Sequence, residues 1–168
     1  TNAVRLGIDP DRIAAGGGSA GGHLAAATAT LPGLEAAGED LKVSSTPNAL
    51  VLFNPALVLA PIPGLMLEGF LAKSTKERFG CDPEAFSPAH HVKKGVPPTI
   101  IFHGKADSTV PYSSAAEFSE RMNKAGNRCQ LVGFEGEGHG FFNNKKMKET
   151  LDQADDFLVS LGYLPARK

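Results

Sequence analysis

Residues 12–23 read Arg12-Ile13-Ala14-Ala15-Gly16-Gly17-Gly18-Ser19-Ala20-Gly21-Gly22-His23, a short apolar run entering five glycines clustered around one serine. The run over residues 12–15 predicts a buried strand. The Ala-rich residues 20–31 behind it predict a helix stopped by Pro32-Gly33. Gly17-Gly18-Ser19-Ala20-Gly21 is thus a G-x-S-x-G between a strand and a helix, the context that lifts a serine hydroxyl clear of a sheet. A turn of that kind is too sharp for neighbouring Cβ atoms, which accounts for Gly17 and Gly21. The helix behind it also points backbone N–H groups at developing negative charge. The same residues satisfy two other readings: a set of packing glycines, or Gly16-x-Gly18-x-x-Gly21, the dinucleotide-binding fingerprint. A dinucleotide site needs an acid ending a second strand about 20 residues further on. Glu39 and Asp40 lie near that distance, but in loop sequence with no strand before them. A phosphate-binding P-loop is excluded because no Lys follows the glycines.

Downstream, Ala49-Leu50-Val51-Leu52-Phe53 and Thr99-Ile100-Ile101-Phe102-His103 read as further buried strands, and residues 129–134 as a fourth strand. The first is closed by Asn54-Pro55 and the second is preceded by Pro98. Residues 113–125 predict a helix with Ala115, Phe118, Met122 and Ala125 on one face and Gly126 to cap it. A last helix over residues 145–161 has the apolar stripe Met147, Leu151, Ala154, Leu158, Leu161. Residues 32–48 read as loop. Residues 55–98, rich in proline, read as a cap-like or irregular insertion over a site, with one helix around residues 69–79. Short buried strands alternating with helices predict an α/β fold, a mostly parallel sheet with helices on both faces. Its ligand site lies beyond the carboxyl ends of the strands.

Length and composition agree with that class. A chain of 168 residues suits a single domain over residues 1–168. Seventeen Lys and Arg against 18 Asp and Glu leave a net charge of -1, too weak a field to collect nucleic acid or an anionic membrane surface. No apolar run approaches the roughly 20 residues that span a bilayer. The first residues lack the basic and apolar blocks of a signal peptide, which favours a soluble, cytoplasmic chain. Cys81 and Cys129 have no metal-ligand or redox spacing, and His90 and His91 have no partner at ligand spacing. No metal or other cofactor is expected.

A serine hydroxyl needs a histidine to take its proton, and the histidine needs a carboxylate to fix its tautomer. Of the five histidines, His139 alone lies beyond the fourth strand, in Glu137-Gly138-His139-Gly140-Phe141, a glycine-flanked loop suited to presenting an imidazole. Asp107 follows the third strand in His103-Gly104-Lys105-Ala106-Asp107, at the end where Ser19 emerges. Asp9 and Asp11 precede the serine, Asp40 and Asp82 follow no strand, and Glu135 and Glu137 share the histidine's own loop. The expected triad is therefore Ser19, Asp107 and His139. His103 is expected to brace the Asp107 loop, and His23 to make a packing or polar contact.

The stretches DPDRIAAGGGSAGGHLAA, SPAHHVKKGVPPTIIFHGKADSTVP and FEGEGHGFF resemble the α/β-hydrolase superfamily. Within it, the chain looks like the C-terminal portion of the microbial esterase/lipase group, the acetyl esterases and acetyl-xylan-esterase-like enzymes. The resemblance implies Ser19 as nucleophile, His139 as base, Asp107 as orienter and the Ala20 N–H as one oxyanion donor. It implies cleavage of short acyl esters, acetylated carbohydrates among them, through an acyl-enzyme and without a cofactor. The HGxxDxxVP pattern is shared with prolyl-oligopeptidase-type peptidases, the nearest alternative. A non-catalytic binding or assembly module that keeps the pocket is another. In the family an oxyanion loop of HGGG type precedes the elbow, and no HGG stands upstream of Ser19. The expectation is weak or no hydrolysis by this chain alone. A companion chain or a second copy would pair at the open edge of the first strand.

Overall fold

Four strands, β1 (Ala14–Gly18), β2 (Ala49–Phe53), β3 (Thr99–Gly104) and β4 (Cys129–Phe134), pair in parallel in the order β1-β2-β3-β4. They belong to a computed structural model that describes residues 2–31 and 33–166. Among the described residues six α-helices accompany the strands: α1 (Ala3–Leu6), α2 (Ala20–Thr30), α3 (Glu68–Leu71), α4 (Lys76–Phe79), α5 (Tyr112–Lys124) and α6 (Met147–Ser160). Pro32, read above as part of a helix stop, lies outside the described residues.

The period-2 alternation of the strands divides the core in two. Leu50, Leu52 and Ile101 pack with Ala25 and Ala26 of α2 and Phe118 and Met122 of α5. Ala49, Ile100 and Phe102 face the other way, against Ala154 and Phe157 of α6. Helices therefore cover both faces of a parallel sheet, as the α/β reading requires.

Three expectations shift. The first strand starts two residues later than the apolar run and continues through the glycines, with Gly16 opposite Val51 and Gly18 opposite Phe53. Backbone pairing decides here, since a Cβ on Gly16 would stand 2.7 Å from the Val51 carbonyl oxygen. Nor is this strand buried: it pairs on one side only among the described residues, and Ala14 is exposed.

The single helix expected around residues 69–79 is two short ones. Thr75 takes an extended conformation (φ -117°, ψ 157°), and its hydroxyl accepts the Arg78 N–H, so a new helix begins there. On α6 the buried face is Thr150, Ala154 and Phe157, whereas Met147 and Leu151 stay half exposed. The stripe rotates because Phe157 fills the space over the sheet. Thr150 can be buried beside it because its hydroxyl donates to the Lys146 carbonyl at 3.0 Å.

Candidate active site

Each strand ends on one residue of the site. Ser19 follows β1 directly, Asn54 follows β2, Asp107 lies three residues past β3 and His139 five residues past β4.

Ser19 has φ 54° and ψ -118°, a left-handed conformation that costs about 1–3 kcal/mol for a residue with a side chain. Its N–H donates to the Phe53 carbonyl at 2.8 Å, tying the turn to the neighbouring strand. The sharp reversal brings Gly17 against the first turn of α2, where an added Cβ would stand 2.6 Å from the Gly21 carbonyl carbon. Gly22 is equally confined, 2.9 Å from the Gly17 oxygen, whereas a Cβ on Gly21 would meet nothing within 4 Å. The close approach thus demands hydrogen atoms at Gly17 and Gly22. Gly21 contributes the backbone that Gly17 abuts. Ala20 opens α2, so its N–H is among the four that a helix leaves without an intrahelical acceptor.

Asp107 is buried, and every polar direction around its carboxylate is occupied. Oδ1 accepts the Thr109 and Val110 N–H groups at 2.8 and 2.9 Å. Oδ2 accepts His139 Nδ1–H at 2.7 Å and the side-chain amide of Asn54. Burial pushes the Asp107 pKa up, but His139, the Val110 N–H, Asn54 and the Thr109 N–H together hold it below the ordinary carboxylate value. His103 lies beneath, fully buried, its Nε2–H donating to the Val110 carbonyl at 2.9 Å while the same nitrogen stands 3.4 Å from Asp107 Oδ2. Burial lowers the His103 pKa, outweighing the Val110 carbonyl and the Asp107 charge, and the ring is a neutral brace for the loop.

With Nδ1–H committed to Asp107, His139 presents Nε2 as an acceptor, and it stands 2.9 Å from Ser19 Oγ. The His139 loop is pinned to the Asp107 loop by the Ala106 N–H, which donates to the Glu137 carbonyl at 3.0 Å. Gly104 abuts the same Glu137 and Gly138 backbone, with no space for a Cβ. Ser19, Asp107 and His139, expected from the sequence to act together, therefore form one hydrogen-bonded line.

His23 lies apart from that line, its Nε2 2.8 Å from the Phe86 carbonyl. His90 and His91 bond to Ser87 Oγ and to the Glu84 carbonyl. Among the described residues no group of three or more His, Cys, Asp or Glu could hold a metal ion. Burial pushes the Cys129 thiol up to about 11, against the Ser119 hydrogen bond, which leaves it a poor nucleophile. No helix among the described residues is long and apolar enough to cross a membrane.

Asn54 is the residue that sequence reasoning missed. It is fully buried at φ 43°, donates to Asp107 and stands 3.5 Å from His139 Nδ1, while its own Oδ1 has no hydrogen-bond partner among the described residues. The signal was present in Asn54-Pro55, read only as a strand stop. Asparagine is one of the few side-chain-bearing residues that tolerate positive φ.

A cavity of about 240 Å³ opens beside Ser19 and Ala20, walled by Ala56, Leu59, Phe70, Phe79 and Val110 and reached by Lys73 and Arg78.

Compared with known proteins, the chain matches the prolyl oligopeptidase family over residues 72–162. It is similar to esterase 2 of Thermogutta terrifontis in its structure phosphonylated by sarin, at 48% identity and a TM-score of 0.90, covering 98% of this chain and 62% of that one. The propionate-bound structure of the same esterase gives 50% identity and a TM-score of 0.88, covering 99% and 62%. Esterase LipC of Mycobacterium tuberculosis is 32% identical over 83% of this chain and 37% of its own length. The chain thus spans less than two thirds of the length of the proteins it matches.

Proposed function

We propose, because this chain belongs to the prolyl oligopeptidase family and has a four-stranded part of the α/β-hydrolase fold, that it is a serine hydrolase of short-chain carboxylic esters. The observation that carries the reading is the unbroken line from Ser19 Oγ through His139 to Asp107, with links of 2.9 and 2.7 Å. Ser19 Oγ attacks the acyl carbonyl as His139 Nε2 takes its proton. Asp107 keeps the imidazole in the required tautomer and steadies the cation that forms. The Ala20 N–H faces the developing oxyanion. His139 then returns the proton to the leaving alcohol, and a water activated by the same nitrogen releases the acid from Ser19.

Three supports are independent of the triad. An esterase half identical to this chain is solved with propionate bound and with its phosphonyl adduct of sarin. The cavity at Ser19 is small, below the roughly 300–1,000 Å³ of drug-sized sites, and its walls are largely apolar. Both features suit an acetyl- to butyryl-sized acyl group. A second oxyanion donor is assigned, within the same proposal, to a further strand or a companion chain paired along the open edge of β1. Without it, turnover is slow, because one such donor is worth about 100–1,000-fold in rate.

Covalent labelling by a fluorophosphonate, followed by intact mass, tests the proposal. One adduct is expected on the wild-type chain and none on Ser19→Ala; an unlabelled wild type, or equal labelling of both, overturns it. The family match also favours a second reading, a peptidase of prolyl-oligopeptidase type. Cleavage of glycyl-prolyl-4-nitroanilide in preference to 4-nitrophenyl butyrate would select it.

A further inference from the structure

The lining of the Ser19 cavity joins three chemistries: the serine and Ala20, an apolar stretch that includes Ala56, Leu59 and Val110, and two cations, Lys73 and Arg78. Among the described residues no carboxylate side chain lines it. Among the described residues neither cation has an acid within ion-pair distance, although the acids of the same segment lie close in sequence. Their commitments explain this. Asp82 pairs with Lys76 at 3.5 Å. Glu77 folds back on its own backbone N–H and the Thr75 hydroxyl, which hold its carboxyl below the usual value. Glu68 lines the adjoining cleft with Lys73 but stands beyond ion-pair range. Two positive charges are thus left uncompensated on the cavity that holds the serine.

Arg78 is also oriented. Its Nη1 donates to the Lys73 carbonyl at 3.2 Å, and its guanidinium stands 5.7 Å from the centre of the Phe79 ring. A guanidinium fixed in this way keeps its remaining N–H groups for a planar, bidentate acceptor, and a carboxylate fits that fork.

We propose that the preferred substrate is an ester carrying a carboxylate remote from the ester bond, held by Lys73 and Arg78 while the ester carbonyl sits at Ser19. The inference rests on the esterase reading and names its substrate class. The carboxylate belongs either to the acyl part, as in a half-ester of a dicarboxylic acid, or to the alcohol. The apolar walls of the same cavity take the short chain that separates the two groups.

Matched substrates test the two sources. Mono-4-nitrophenyl glutarate against 4-nitrophenyl butyrate reports the acyl side, and 3-carboxyphenyl butyrate against phenyl butyrate reports the alcohol side. One pair is expected to show a preference for the charged ester of about tenfold in kcat/KM, the scale of one or two partly solvated ion pairs. That ratio falls towards one in Lys73→Gln/Arg78→Gln and, in the wild type, as salt rises from 0.02 to 0.5 M, by about the screening expected of exposed charges. The salt titration stands even if the double variant misfolds. A ratio near one in both pairs, or a preference indifferent to salt, overturns the inference while ester cleavage itself upholds the reading beneath it.

Calorimetry on Ser19→Ala gives a measure that needs no turnover. Glutarate is expected to bind about tenfold more weakly once both cations are also replaced. Equal binding overturns the assignment of Lys73 and Arg78, whatever the chain hydrolyses.

Discussion

Asp107 is buried, with four donors on its two oxygens from β2, its own loop and the His139 loop, whereas Ser19 ends an edge strand paired on one side among the described residues. The acid half is held redundantly: Asn54, two backbone N–H groups and the His103 brace all fix one carboxylate. The nucleophile half rests on a single strained turn, with φ 54° at Ser19 and backbone packed where Gly17 has no Cβ. The difference follows from what converges on each group. β1 and β4 are both edge strands among the described residues. The segments after β2, β3 and β4, however, all reach one carboxylate and brace one another there. The turn after β1 is tied to the neighbouring strand by the single bond from the Ser19 N–H to the Phe53 carbonyl. Damage to the acid half should therefore be graded, depending on which support is lost. Damage to the nucleophile half should be close to all-or-none.

The largest effect tests whether the carboxylate itself, and not merely its volume, holds the acid half together. Asp107→Asn keeps the shape but stabilises the wrong tautomer of His139. Its rate of fluorophosphonate labelling, like that of ester cleavage, should fall by about ten-thousand-fold. A loss under tenfold would mean that His139 is oriented by something else.

Next come two glycines, one from each half. Gly17→Ala drives a Cβ into the first turn of α2, and Gly104→Ala drives one into the Glu137 and Gly138 backbone that carries the His139 loop. Each should lower stability by about 1–3 kcal/mol in urea titration, the usual cost of overpacking. Gly17→Ala should also lose most of its labelling, because the bond from the Ser19 N–H to the Phe53 carbonyl is all that ties the displaced turn to the sheet. Gly104→Ala should keep a measurable fraction, since the Ala106 N–H still ties the two loops. The reverse order would break the contrast between the halves.

Asn54→Ala sharpens it further. The variant removes one of four donors to Asp107, so the labelling rate should fall about tenfold, the value of one buried hydrogen bond to a charged group. A loss as large as that of Asp107→Asn would show that the support is not redundant.

Much of this architecture is legible in the sequence, for a physical reason. Residues 49–53 and 99–103 are recognisable because central strands of a parallel sheet are buried on both faces and read as apolar runs, whereas residues 129–134 form a half-buried edge strand that is still apolar enough to be read. Ser19, Asp107 and His139 are recognisable because each follows such a run in the required chain order. What escapes the sequence depends on backbone geometry that side-chain hydropathy does not encode. The extension of β1 through Gly16, Gly17 and Gly18 is set by pairing with β2 and not by side chains. The buried face of α6 includes Thr150, whose hydroxyl hides in the helix backbone and escapes any apolar stripe. Asn54 escapes because its role depends on a left-handed φ and on a carboxylate 53 positions away in the chain.

The smallest effect is a pH dependence of stability, and its sign separates the halves once more. The Asp107 carboxyl is depressed in the folded chain: burial raises it, but the bonds from His139, Val110, Asn54 and Thr109 more than reverse that. A carboxyl so depressed binds a proton more readily unfolded than folded. Its stabilising contribution is therefore complete above the unfolded value of about 3.9 and fades as the pH falls through the folded value. Asp107→Asn has no such proton to bind, and every other carboxylate is common to both proteins. The difference in urea midpoint between wild type and Asp107→Asn should thus be constant from pH 7 to about 5 and shift against the wild type towards pH 3. Ser19→Ala removes no titrating group and should track the wild type throughout. Parallel curves for wild type and Asp107→Asn would mean that the donors around Asp107 position it without favouring its charge. The redundancy of the acid half would then be steric and not electrostatic.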